Sequence, residues 1–258
     1  MPYDTNSNQL GVLGRSAAVV ALRATVRRMA DAPYTVLFTG ESGSGKELVA
    51  KAVRRLSRRA VRRFGAVNCA ALADELVEAE LFGYIKGAFT GAVTDRAGLF
   101  EASDRDTLLL DEVGELSQRA QAKQLRFLQD GEIRRVGESQ SRRVVFRVVA
   151  ATNRPLDAAV GTGQFREDLL YRMDVLRMLV RRCGTEATMC GSSQNIFWSR
   201  TQVLTGSRAA SAKSTLAALA RYHWPGNVRH LENVVASLVV RGPRHGVVGP
   251  STLPPPSA

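Results

Sequence analysis

The chain is short of several things at once. It has three cysteines, Cys69, Cys183 and Cys190, in 258 residues. That number cannot staple a disulfide scaffold, so a reducing compartment, the cytoplasm, is the expectation. No apolar run approaches the ~20 residues that span a bilayer, so no membrane association is expected. The opening MPYDTNSNQL has neither a basic nor an apolar signal region. Acidic residues are outnumbered, 24 Asp+Glu against 36 Lys+Arg, for a net charge of +12. This balance permits a polyanionic partner, and a basic nucleic-acid-binding protein is one functional alternative. Much of the excess sits in Arg54, Arg55, Arg58, Arg59, Arg62 and Arg63, which read equally well as a solvated face. Low order is excluded: 45% of residues are hydrophobic and 23% charged, enough to bury a full core.

Apolar positions at helical spacing (Val19, Val20, Leu22, Val26, Met29) predict a helix over 14–31. TVLFTG (35–40) predicts a buried strand, and KELVAKAVRRL (46–56) a helix directly after a glycine-rich turn. Further strands are expected at 64–67, 107–110 and 144–150, with helical stretches near 72–80 and 118–129. Strand, glycine loop and helix in that order open a βαβ unit. The expected fold class is therefore α/β, a parallel sheet flanked by helices.

Gly40-Glu41-Ser42-Gly43-Ser44-Gly45-Lys46 fits GxxxxGK between that strand and that helix. Glycines there let backbone N–H groups converge on phosphate oxygens, and Lys46 would reach the terminal phosphates. Glu47 stands where a hydroxyl residue usually ligates Mg²⁺. TLLLDE (107–112) is an apolar strand ending in two carboxylates. At a strand's C-terminal end, Asp111 is the expected Mg²⁺ carboxylate and Glu112 the group that polarises an attacking water.

These motifs, with Gly87-Ala88-Phe89-Thr90-Gly91-Ala92, resemble the central AAA+ ATPase domain of bacterial enhancer-binding proteins, the sigma-54-dependent transcription activators. The resemblance covers about residues 10–180 and 214–240 and includes Glu47. It implies an ATPase using ATP and Mg²⁺, assembled as a hexameric homo-oligomer, that remodels the sigma-54 RNA polymerase closed complex. By resemblance, residues 87–92 form the loop contacting the sigma-54 factor. On the residues alone, Phe89 reads rather as a core phenylalanine in a tight hairpin. Asn68 is similar to a switch asparagine that hydrogen-bonds Glu112. Asn153 resembles sensor I, and Arg229 in WPGNVR resembles sensor II of a C-terminal helical lid. Arg166 and Arg172 resemble arginine fingers that face a neighbouring subunit's nucleotide; as residues alone they also fit surface ion pairs. Arg105-Asp106 stands where the family usually has two glycines, Tyr84-Ile85 where it has His-Glu, and His230 where it has Glu.

The expected organisation is a lead-in (1–13), an AAA+ core (14–178), an aberrant linker (179–213), the remaining lid (214–241) and a loose tail (242–258). No receiver domain and no sequence-specific DNA-binding module are expected in this chain. Residues 181–207 show no helical or strand period where the family has a linker and lid helix. Back-translated from Arg181 with permitted codons and read from the third base, the segment gives PLRDRGDDVRLLAEHFL, text of the family's kind. Met189-Cys190 forces a Val in that frame, and Phe197-Trp198 a Leu. A compensated pair of frameshifts accounts for this; a genuinely divergent insertion is the alternative. A truncated, frame-damaged relative that binds nucleotide or sigma factor without efficient turnover is therefore the other alternative.

Overall fold

The computed structural model describes residues 17–71, 73–182, 210–211, 213–241 and 247–248. The lead-in, most of the 181–207 segment and most of the tail lie outside the described residues. By internal contacts the chain divides into two compact units.

One unit comprises residues 27–40 and 53–179. Its centre is a five-stranded parallel sheet. The strands are β1 (Val36–Thr39), β2 (Phe64–Asn68), β5 (Thr107–Asp111), β8 (Arg147–Thr152) and β9 (Leu176–Leu179). Their order is β2-β5-β8-β1-β9. The central strands are apolar on both faces because helices cover both, as parallel sheets require. Leu37, Leu108, Leu110 and Ala150 are all fully buried. Strand β8 starts three residues later than 144–150 predicts. Val145 is engaged elsewhere: its N–H goes to Asp104 Oδ1 at 2.8 Å and its C=O takes the Arg105 N–H at 2.6 Å.

Helices α3 (Asp74–Phe82) and α5 (Gln118–Asp130) pack into this core. Helix α5 starts where Ser117 Oγ accepts the Ala120 N–H at 3.3 Å and stops at Gly131, φ 71°, the usual N-cap serine and left-handed C-terminal glycine. Short strands β3 (Gly83–Tyr84) and β4 (Arg96–Ala97) pair antiparallel and carry loop 85–95. A second antiparallel pair, β6 (Glu132–Ile133) with β7 (Arg142–Arg143), lies alongside its base. The unit also holds α4 (Leu99–Ala102), α6 (Leu156–Gly161) and α7 (Glu167–Met173).

The other unit comprises residues 1–26, 41–52 and 180–258. Helix α1 (Ala17–Asp31) and helix α2 (Lys46–Leu56) fall partly in each unit. Helices α8 (Lys213–Arg221) and α9 (Asn227–Arg241) bury Leu219, Trp224, Leu231, Val235 and Leu238 together. Of the expected loose tail, Val247–Val248 (β11) pairs in parallel with Ala210–Ser211 (β10). Two ladder pairs thus give this part of the tail a fixed partner.

Candidate functional site

The parallel sheet aligns its carboxyl ends. Asn68 is level with Asp111, and Thr39 with Thr152. The chain leaves β1 at this edge through Gly40, φ 149°, into the glycine loop.

Within the loop, Gly43 (φ 73°) and Gly45 (φ 98°) adopt left-handed backbone that a side chain would strain. The Ser44 N–H donates to Glu41 O at 3.3 Å, and the Val49 N–H to Gly45 O at 3.1 Å, where α2 begins. Lys46 is buried, with Nζ donating to Glu41 O at 3.2 Å. Ser44 Oγ is buried without a hydrogen-bond partner among the described residues. A buried orphan hydroxyl, a buried lysine and a helix N-terminus form a donor set that fits a phosphate chain. Glu47 instead forms an exposed ion pair with Lys51 at 2.6 Å.

The same unit brings the start of α9 onto this loop. Asn227, itself left-handed at φ 54° and buried, donates from Nδ2 to Glu41 Oε2 at 3.1 Å and to Ser42 O at 3.0 Å. The Val228 and Arg229 N–H groups donate to Gly43 O at 3.0 and 3.4 Å. A Cβ on Gly43 would meet Gly226 O at 2.7 Å, so glycine is required for close approach as well as for φ. Arg229 is thereby held beside the loop with its side chain exposed. His230 stands edge-on to Trp224, centroids 5.3 Å apart.

In the sheet unit, Asp111 and Glu112 terminate β5. Glu112 is left-handed (φ 54°, ψ 48°), with its N–H on Asp111 Oδ1 at 3.1 Å. Glu112 Oε2 accepts the Asn153 N–H at 2.8 Å. Sequence resemblance implies that Asn68 hydrogen-bonds Glu112; among the contacts of the described residues, Asn68 is found in a local turn. Asn68 Oδ1 instead accepts the Ala70 N–H at 2.9 Å, a local Asx turn that satisfies the backbone leaving β2. Next to it, the Cys69 thiol is buried, and burial with the Asp111 and Glu112 charges pushes its pKa up to about 12. It is an inert core thiol.

No cluster of three or more His, Cys, Asp or Glu able to hold a metal occurs among the described residues. Mg²⁺ needs no such cluster: one or two carboxylates with phosphate oxygens and waters commonly hold it. Asp111 would be that carboxylate.

Arg166 occupies the position before the first residue of α7, and its guanidinium grips Asp168 at 3.0 and 2.7 Å. That bond raises the arginine's pKa and lowers the aspartate's. Arg172, in the last turn of α7, is exposed and has no ion-pair partner among the described residues. Loop 87–92 closes through the Gly87 N–H on Ala92 O at 2.9 Å. Gly87 and Gly91 have positive φ and open space around them. Phe89 is 40% exposed and touches Tyr84 edge-on at 5.0 Å, so the core reading of this residue is corrected.

The arginine run is more than a solvated face. Asp106, at one of the positions where glycine is expected, accepts the Arg63 N–H on its carboxylate at 3.0 Å and the Arg59 guanidinium on its carbonyl at 2.8 Å. Arg54 donates to Arg62 O. Sequence reasoning also passed over Gln118, Gln121 and Gln124 on α5, whose contacts lie far away in the chain.

Residues 12–179 match the sigma-54 interaction domain family, and residues 195–257 the AAA+ ATPase lid domain. Fold, glycine loop and paired carboxylates define a P-loop AAA+ module. The chain belongs to the sigma-54 interaction domain family, with its AAA+ lid. It is 45% identical over 233 residues to the anaerobic nitric oxide reductase transcription regulator NorR of Salmonella paratyphi C, covering 89% of this chain and 46% of that protein. It is 45% identical over 230 residues to the hydrogenase transcriptional regulatory protein HoxA of Bradyrhizobium diazoefficiens, covering 88% and 47%. The chain thus spans about half the length of these curated relatives. Crystal structures of NtrX from Brucella abortus superpose with a TM-score of 0.86 at 32% identity. The ADP complex covers 95% of this chain and 56% of that one, the ATP complex 94% and 54%. Residues 180–194 fall between the two matches.

Proposed function

We propose that the chain is the ATP-hydrolysing, sigma-54-contacting module of a transcription activator. The carrying observation is the carboxyl edge of the sheet, where the chain enters the glycine loop from β1 and Asp111-Glu112 terminate β5. ATP is bound by Gly40–Glu47, with Lys46 on the phosphates and Ser44 available to a phosphate oxygen. Asn153 and Arg229 complete the nucleotide contacts. Asp111 would hold Mg²⁺, which when bound would neutralise phosphate charge. Glu112, fixed by the Asn153 N–H, accepts a proton from the attacking water. Asn68 supports the end of β2 beside Asp111.

Arg166 and Arg172 serve a neighbouring subunit, because a finger arginine completes another protomer's site. This reading requires a ring of identical subunits, six by family resemblance, in the cytoplasm. The exposed loop 87–92 offers Phe89 to the sigma-54 factor and transmits hydrolysis to the closed promoter complex.

The test is ATPase rate per protomer against protein concentration, for wild type, Lys46→Ala and Arg166→Ala. A rate rising with concentration, lost with nucleotide binding in the first variant and without it in the second, is expected. Turnover independent of concentration would overturn the shared-site reading.

A further inference from the structure

Helix α5 turns three glutamines toward the segment that carries the finger arginines. Gln118 Nε2 donates to Gly163 O at 2.8 Å. Gln121 is fully buried, with Nε2 donating to Leu116 O at 2.8 Å and to Gln164 O at 3.0 Å. Its Oε1 accepts the Arg166 N–H at 2.9 Å. Gln124 Nε2 reaches Met173 Sδ at 3.8 Å, at the far end of α7.

The Gln121 amide is the best-defined of these. Both N–H bonds have acceptors and the oxygen has a donor. Reversing the amide would set oxygen against two carbonyls and N–H against N–H, so only one orientation fits. The two segments it joins have different duties. Leu116 ends the 3-10 turn Val113–Glu115 that directly follows Glu112. Arg166 is the first residue of the finger segment, in extended backbone at φ −78°, ψ 131°.

We infer that Gln121 is a positioning residue for the finger arginines. It fixes the point where α7 begins, and hence the direction in which Arg166 and Arg172 leave the subunit. One side chain thereby ties the finger given to a neighbour to the turn behind the subunit's own Glu112. The inference rests on the proposed reading of Arg166 and Arg172 as fingers. Its consequence is specific: loss of Gln121 damages the neighbour's site and spares the subunit's own.

Subunit mixing of the full chain tests this. Gln121→Leu, Arg166→Ala and Glu112→Gln are each expected to bind ATP and hydrolyse it poorly alone. Glu112→Gln keeps a sound finger, and Arg166→Ala keeps a sound site. An equal mixture of those two should recover about a quarter of wild-type turnover, because random head-to-tail assembly joins a sound site to a sound finger at about one interface in four. Failure of this control overturns the finger reading and the inference with it.

If the control succeeds, Gln121→Leu mixed with Glu112→Gln should recover similarly, and mixed with Arg166→Ala should not. The reverse pattern would place the defect in the subunit's own site and overturn the inference while leaving the finger reading intact. Should Gln121→Leu fail to fold, Gln121→Glu goes through the same mixtures. It keeps the acceptor for the Arg166 N–H and, when ionised, loses both donors.

Discussion

The Glu112 carboxylate and the Asn153 backbone N–H meet at 2.8 Å, joining the residue after β5 to the residue after β8. The strands are paired neighbours, so the bond follows from the sheet and holds the carboxylate before any nucleotide arrives. A glutamine at 112 keeps a carbonyl oxygen for Asn153 but cannot accept a proton from water. Glu112→Gln is therefore expected to bind ATP with near-wild-type affinity and to hydrolyse it ~10²- to 10⁴-fold more slowly. Nucleotide titration beside single-turnover hydrolysis measures both. Hydrolysis within a factor of about three of wild type would remove Glu112 from the chemistry.

Among the rings of the described residues Phe89 packs on Tyr84 alone, and it is 40% exposed. Phe89→Ala should lower stability by no more than about 1 kcal/mol and leave ATP affinity unchanged. Capture of purified sigma-54 factor should be lost. A cooperative loss of fold in thermal melts, or retained capture, would contradict that assignment.

Arg105 has φ 65° at a position where the family usually has glycine. The left-handed region costs a residue with Cβ about 1–2 kcal/mol. Its ion pair with Asp104, 3.7 Å and solvent-exposed, contributes little. Glycine relieves the strain and returns part of the gain through a more flexible unfolded chain. Arg105→Gly should raise the urea midpoint by the equivalent of about 0.5–1 kcal/mol. A lower midpoint would mean that the Arg105 side chain makes a contact worth more than the strain.

Much of this was legible in the residues. Apolar runs marked four of the five strands of the parallel sheet, because a strand covered on both faces needs no alternation. The phosphate loop and the 87–92 loop are continuous motifs whose glycines are required by positive φ at Gly43, Gly45, Gly87 and Gly91. What escaped depends on pairing across distance. Glu112 accepts the Asn153 backbone N–H, while Asn68 Oδ1 accepts the Ala70 N–H, and neither partner can be read from the local pattern of the chain. The glutamine contacts of α5 join residues more than forty apart in the chain, which no local period reveals.

Gln124 is fully buried, and its Oε1 has no hydrogen-bond partner among the described residues. Its Nε2 has only the Met173 sulfur, at 3.8 Å, a weak acceptor. An unsatisfied buried polar atom costs ~1–3 kcal/mol. Leucine is similar in volume and carries no polar atom. Gln124→Leu should therefore stabilise the protein by about 1 kcal/mol or more against urea. Destabilisation would show that a buried water or an unseen partner satisfies Oε1.

Asn227 fastens the first turn of α9 to the phosphate loop through Glu41 Oε2 and Ser42 O, and it does so from a left-handed backbone. The choice of substitution separates the two features. Alanine would lose the hydrogen bonds and strain the backbone together, whereas glycine tolerates the φ and loses only the side chain. Two such bonds contribute ~0.5–1.5 kcal/mol each. Because they position the loop that meets phosphate, part of that loss should appear as weaker binding. Asn227→Gly is expected to weaken ATP affinity about three- to tenfold, a tenfold change being ~1.4 kcal/mol. Asn227→Ala should show the same affinity loss with an additional drop in thermal stability. Isothermal titration and melting on both variants separate the effects. Wild-type affinity in Asn227→Gly would show that the phosphate loop holds its shape without the α9 tether.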